Sequence, residues 1–118
     1  MLTIYTYSAC STCRAALLWL RGRGLAFTER PIRETPPTPA ELARMLAAYE
    51  GELRRLCNTS GRDYRELRLG EKLESLGPAG VLALLAANGN LIKRPFLLGP
   101  QVALVGFDAD LWSRRLAA

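Results

Sequence analysis

Histidine is absent from all 118 residues. That excludes Ser–His and Cys–His relays and any histidine-ligated metal. A nucleophile in this chain must be activated by a helix dipole, an arginine or solvent. Long apolar runs are missing too. The longest, such as Val81 to Ala87, fall far short of the roughly 20 residues that span a bilayer. The opening Met1-Leu2-Thr3-Ile4-Tyr5 has no basic leader and does not read as a signal peptide. There is no internal repeat, linker or low-complexity tract. Nor is there a long basic run interleaved with aromatics, although 16 Lys+Arg face 11 Asp+Glu for a net charge of +5. The arginines, Arg33 and Arg62 among them, are scattered mostly among acids, which reads as a solvated surface rather than a nucleic-acid face. Such a surface still attracts small anions or an acidic protein patch. These absences predict a soluble, cytoplasmic, monomeric protein with no membrane partner and no direct nucleic-acid partner. Its length suits one domain over 1–118.

Cysteine is scarce, with three residues, but two of them stand together in Ser8-Ala9-Cys10-Ser11-Thr12-Cys13-Arg14. In a reducing compartment a C-x-x-C pair points to redox or metal chemistry rather than a permanent staple. Zinc needs four ligands, and neither a second C-x-x-C nor a histidine exists to complete them. A buried, inert pair is the plain alternative. The polar Ser8, Ser11 and Thr12 around a strand-to-helix turn weigh against it. Cys57, beside Leu53 and Leu56, reads as a packed core thiol, with an alternative resolving thiol as the lesser reading.

The pattern along the chain places the pair. Leu2 to Tyr7 reads as a strand, Ser11 onward as a helix stopped by Gly22 and Gly24, and Ala26 to Arg30 as a second, parallel strand. Thr38-Pro39-Ala40-Glu41 is a capping box with proline at the first helical position, predicting a helix to about Tyr49. Gly51 to Leu56, Asp63 to Leu69 and Glu71 to Leu76 read as short helical pieces, and Pro78 to Ala87 as a longer helix. Phe96 to Leu98 and Val102 to Val105 flank Gly99-Pro100-Gln101 as a hairpin. Asp108 caps a last helix. The sum is an α/β chain of order β-α-β, a helical insertion over about 38–88, then β-β-α. That is the thioredoxin-like order, with a mixed sheet.

In this arrangement Cys10 lies at the end of the first strand, where the helix begins, and Cys13 in the first turn of the helix, on one helical face and close enough to form a disulfide. Unpaired first-turn N–H groups and the macrodipole favour a thiolate there, making Cys10 a candidate nucleophile. Arg14 either helps to hold an anion or points to solvent.

Three motifs, Cys10-Ser11-Thr12-Cys13-Arg14-Ala15, Asn58-Thr59-Ser60-Gly61-Arg62-Asp63-Tyr64-Arg65-Glu66-Leu67 and Leu91-Ile92-Lys93-Arg94-Pro95-Phe96, together resemble the ArsC-like family across essentially the whole chain. That family comprises glutaredoxin-linked arsenate reductases, a reductase-like branch, and Spx-type redox regulators that bind the RNA polymerase α subunit. The resemblance implies a thioredoxin-like domain with a cis peptide before Pro95. It also implies that Cys10 is the nucleophile and Arg94 a bidentate oxyanion ligand; the C-x-x-C pair itself suits dithiol exchange, with Cys13 resolving the mixed disulfide. Ser11, Thr12, Arg14, Asn58, Ser60 and Pro95 are then the substrate-binding candidates. No bound cofactor is implied; glutathione, thioredoxin or glutaredoxin would serve as external reductant. The sequence departs from the arsenate reductases in three places. The Asn58-Thr59-Ser60-Gly61 turn replaces a further substrate arginine. No arginine stands between Gly99 and Gly106. Cys13 occupies a position that is typically not cysteine. Two functions follow as expectations: reduction of a disulfide or small oxyanion such as arsenate, or a redox-controlled regulator docking on the polymerase.

Overall fold

In the computed structural model, which describes residues 1–116, the first strand β1 (Leu2–Thr6) runs parallel to β2 (Phe27–Pro31), with Leu2 opposite Phe27 and Thr6 opposite Pro31. The crossover is α1 (Ser11–Gly22), as a right-twisted βαβ unit requires. On the other side of β1 lies β3 (Phe96–Gly99), antiparallel, and β4 (Val102–Val105) pairs antiparallel with β3. The sheet is therefore mixed, in the order β2-β1-β3-β4. Between β2 and β3 the chain makes α2 (Pro39–Ala48), α3 (Arg62–Glu66) and α4 (Leu73–Ala87), joined by 3₁₀ turns at Leu53–Leu56, Leu69–Glu71 and Gly89–Leu91. Helix α5 (Ala109–Arg115) closes the described chain.

Strand alternation divides the core into two layers. Ile4, Leu97, Val102 and Leu104 point to one face, where Ala16, Leu17 and Leu20 of α1 and Trp112 of α5 cover them. Tyr5, Phe96, Leu98, Ala103 and Val105 point to the other, against Leu42, Met45, Leu56, Leu69, Val81 and Leu85 of the inserted helices. On the first face Trp112 is met edge-on by Trp19 at 5.9 Å and by Phe107 at 4.9 Å.

Local chemistry sets the ends of most elements. Thr38 and Glu41 form the full capping box: Oγ1 accepts the Glu41 N–H at 3.1 Å, and the Glu41 carboxylate accepts the Thr38 N–H at 2.9 Å. That carboxylate also accepts the Tyr5 hydroxyl at 2.8 Å, tying α2 to β1. Asp108 caps α5 through the N–H groups of Asp110 and Leu111. The two helical pieces expected over 71–87 form one run, α4, broken at Gly77, whose φ of +70° and following Pro78 interrupt the helix. The second strand is one residue later than Ala26 to Arg30, and the Gly51 to Leu56 piece is a single 3₁₀ turn.

One close approach depends on glycine. A Cβ on Gly89 would lie 1.9 Å from the Ile32 carbonyl oxygen and 3.0 Å from the Arg33 Cα. Only a residue without a side chain lets the Gly89–Leu91 turn abut the end of β2. The contact brings Arg33 beside Asn90, and no periodicity in the sequence announces it.

Candidate active site

Cys10 is the N-cap of α1, four residues past the end of β1 rather than on it, with φ −99° and ψ 112°. Its Sγ, half-buried, accepts the Cys13 N–H at 3.1 Å. This is one of the donors that a helix start leaves without an intrahelical acceptor, at the end where negative charge is favoured. Behind it Cys13 is 1 % exposed. Burial pushes the Cys13 thiol up to about 12, and its hydrogen bond to Cys10 adds to the rise; the Tyr7 backbone and the Arg94 charge pull the other way. The two sulfurs are thus unlike. One is reachable and receives an N–H; the other is buried and stays protonated at neutral pH. Both are free thiols.

Tyr7 fastens this turn to the rest of the site. Its carbonyl accepts the Cys10 N–H at 3.1 Å. Two guanidiniums stack on its ring, Arg94 at 4.9 Å and Arg33 at 5.1 Å from the centroid. Arg33 Nη1 also donates to the Tyr7 hydroxyl at 3.1 Å. The three chain segments meet in a cleft of about 180 Å³ whose wall also holds Asn58, Arg62, Asp63 and Asn90. Asp63 Oδ2 accepts the side-chain amides of Asn88 at 3.0 Å and Asn90 at 3.2 Å. Those bonds hold its carboxyl below its usual range. Arg94 Nη1 is buried and has no hydrogen-bond partner among the described residues. A second cleft, of about 330 Å³, shares Arg94 with the first and adds Thr12, Lys93 and Phe107.

The residues singled out from sequence separate into two groups. Cys10 and Cys13 form the thiol turn, Thr12, Asn58 and Arg94 line the two clefts, and Pro95 follows Arg94 across a cis peptide. Ser11 is exposed on the first turn of α1. Arg14 is exposed and spends a guanidinium nitrogen on the Ser8 carbonyl at 3.0 Å, which braces the loop before Cys10. Ser60 is exposed, and its carbonyl accepts from Arg65 at 2.8 Å. Cys57 is a buried thiol donating to the Leu53 carbonyl, with its pKa raised by burial to about 11. Sequence reading missed Tyr7, Arg33, Asp63 and Asn90. Arg33 and Arg62 looked like scattered surface charge because their convergence depends on contacts across the whole chain. Among the described residues no group of three or more cysteine, aspartate or glutamate side chains is gathered to hold a metal ion. None of their helices is long and apolar enough to cross a membrane.

The ArsC family model matches residues 5–114, from β1 into α5. The chain belongs to the ArsC family. Protein YusI of Bacillus subtilis strain 168 is 40% identical over 116 residues, covering 98% of both chains. The global transcriptional regulator Spx of Enterococcus faecalis is 31% identical over 110 residues, covering 93% of this chain and 82% of Spx. Among solved structures, one from Streptococcus mutans UA159, described as a possible arsenate reductase, superposes with a TM-score of 0.87 at 36% identity. That match covers 94% of this chain and 97% of the other. The thioredoxin-like architecture with a mixed four-stranded sheet is therefore that of the ArsC family.

Proposed function

We propose that the chain is a cytoplasmic thiol-dependent oxidoreductase that uses Cys10 and Cys13 to reduce a disulfide or a small oxyanion. One observation carries the reading: a half-buried sulfur at a helix N-terminus accepts the N–H of Cys13, whose own buried thiol lies three residues behind. In the disulfide reaction the Cys10 thiolate attacks one sulfur of the substrate. A Cys10–substrate disulfide forms as the substrate S–S bond breaks, and the other half leaves as a thiolate. Cys13 then gives up its proton, to the departed thiolate or to water, and attacks Cys10 Sγ. The second half leaves as a thiolate and a Cys10–Cys13 disulfide remains. Two electrons pass from the pair to the substrate, and an external thiol such as glutathione, thioredoxin or glutaredoxin returns them.

The high pKa of Cys13 fits this order. Burial holds its proton in place first, and its hydrogen bond to Cys10 and the Cys10 charge add to that. The last two vanish once Cys10 is tied up in the mixed disulfide, while burial and the opposing Arg94 charge persist. Loss of a proton from Cys13 is therefore easier after attack than before it.

The test is glutathione- and thioredoxin-coupled turnover of a model disulfide and of arsenate. Cys10→Ser is expected to lose at least about a thousandfold in rate. Cys13→Ser is expected to accumulate the mixed disulfide, read as added mass on Cys10. Absence of turnover on both substrates, or a Cys10→Ser variant as active as the parent, overturns the reading. The likeness to Spx supports a second one, in which oxidation of the same pair controls docking on the RNA polymerase α subunit. Pull-down with the α C-terminal domain, under oxidising and reducing conditions, separates the two; no association in either state removes the regulator.

A further inference from the structure

The cleft under Tyr7 has two signs of charge at fixed, separate places. Arg33 and Arg94 are held on the Tyr7 ring, and Arg62 stands on the same wall. Asp63 is held by Asn88 and Asn90, both on Oδ2. Arg62 and Arg33 lie near enough to favour the Asp63 carboxylate without pairing with it. Among the described residues the ion pairs within 4 Å are Arg62–Glu66 and Arg68–Glu71, and Asp63 takes part in neither. The buried Arg94 Nη1 is a donor in need of an acceptor, and a carboxylate oxygen is the strongest one for a guanidinium. At about 180 Å³ the cleft is below the roughly 300–1,000 Å³ of sites that enclose a drug-sized molecule. It is sized for one end of a ligand. A bare inorganic anion would satisfy the arginines but meet the negative charge of Asp63. A group carrying both charges meets neither penalty.

We propose that this cleft binds the zwitterionic amino-acid head group of a small thiol or disulfide, its carboxylate on Arg33 and Arg94 and its ammonium on Asp63. The inference rests on the thiol-exchange reading and narrows its substrate to molecules bearing a free α-amino and α-carboxylate. Tyr7 joins the two functions: its ring carries the arginines that grip the head group, and its carbonyl holds the Cys10 N–H. The residue that carries the arginines is therefore tied by its own backbone to the turn that bears the reacting sulfur.

The probe is S-methylglutathione, whose blocked sulfur cannot exchange, titrated into the reduced full chain and followed by amide chemical shifts and calorimetry. Saturable binding is expected, with shifts at Tyr7, Arg33 and Asn90. N-acetyl-S-methylglutathione and sodium sulfate are each expected to bind at least about tenfold more weakly, the cost of one charged hydrogen bond. Arg33→Gln is expected to weaken S-methylglutathione by a similar factor. Asp63→Asn is expected to erase the difference between the free and acetylated probes. Should Asp63→Asn lose its near-ultraviolet dichroism, the acetyl comparison on the parent chain and the Arg33→Gln variant, at an exposed position, still decide. The proposal is overturned by any one of four results: no binding, sulfate as tight as the probe, the acetylated probe as tight, or Arg33→Gln unchanged. Disulfide reduction without probe binding refutes the head-group site alone. Probe binding without disulfide reduction refutes the thiol-exchange reading alone.

Discussion

The sheet separates two layers that were assembled on different terms. The α1/α5 layer comes from the two ends of the chain and packs on regular, capped helices, with Trp19, Phe107 and Trp112 interlocked at its centre. The insertion layer is larger and aliphatic, and its helices are short, broken at Gly77 and linked by 3₁₀ turns. The first layer presents the cysteine pair; the second presents Asn58, Asp63 and Asn90, with Arg33 leading into it. Chemistry that needs one sulfur at one helix end is carried by a regular element. Recognition that needs several charges at once is carried by loops that meet only through tertiary contacts.

Four measurements can break or sharpen that contrast. The largest effect is expected for Trp112→Ala, which removes the hub of the first layer and should cost about 3–5 kcal/mol in denaturant unfolding. A loss below about 1 kcal/mol would mean that α5 is an accessory rather than part of this core. Next is Gly89→Ala, which drives a methyl into the Ile32 carbonyl and should cost about 2–3 kcal/mol. Gly51→Ala, where φ is +80° but nothing lies within 4 Å, should cost only about 1 kcal/mol. Equal losses would show that backbone conformation, not close approach, makes Gly89 necessary.

Alkaline pH probes one buried thiol on each side, Cys13 on α1 and Cys57 in the insertion. Both are raised by burial, to about 12 and about 11, against about 8.5 for an exposed thiol. The native state therefore holds protons that the unfolded chain releases, so stability is full below about pH 8.5 and falls as pH climbs through 9 to 12. Unfolding of the reduced protein at stepwise pH should show that decline, with a shallower slope in Cys57→Ala. A flat profile from pH 8 to 10.5 contradicts the burial of both sulfurs. The smallest effect is Thr38→Ala, which removes half of the capping box on α2 and should cost about 1 kcal/mol. No loss would place the stability of α2 in its apolar face alone.

Features with a local cause were legible in the sequence. The capping box at Thr38, the proline and glycine break before Val81, the Gly99-Pro100-Gln101 hairpin and the Asp108 cap each rest on a few neighbouring residues. So does the placement of Cys13 in the first turn of a helix. The position of Arg94 was reached through its motif, and its cation–π contact with Tyr7 was not. Arg33, Asp63 and Asn90 were illegible because nothing in a one-dimensional pattern says that residue 33 touches residue 89. Arg14 is exposed and donates to the Ser8 carbonyl, and Ser60 is exposed with its carbonyl accepting from Arg65; neither lines the two clefts.

The strand order has a consequence for how the chain is made. β3 lies between β1 and β4 in space, yet it leaves the ribosome after the whole helical insertion. Until residues 96–99 emerge, β1 has one paired edge and one bare edge, with the backbone of Thr3 to Tyr5 unpaired on that side. A bare apolar edge is a template for pairing with another chain. A synthesis stall or a truncation before Phe96 would therefore leave a product that carries its cysteines but sticks to its neighbours, and the last third of the gene protects the first.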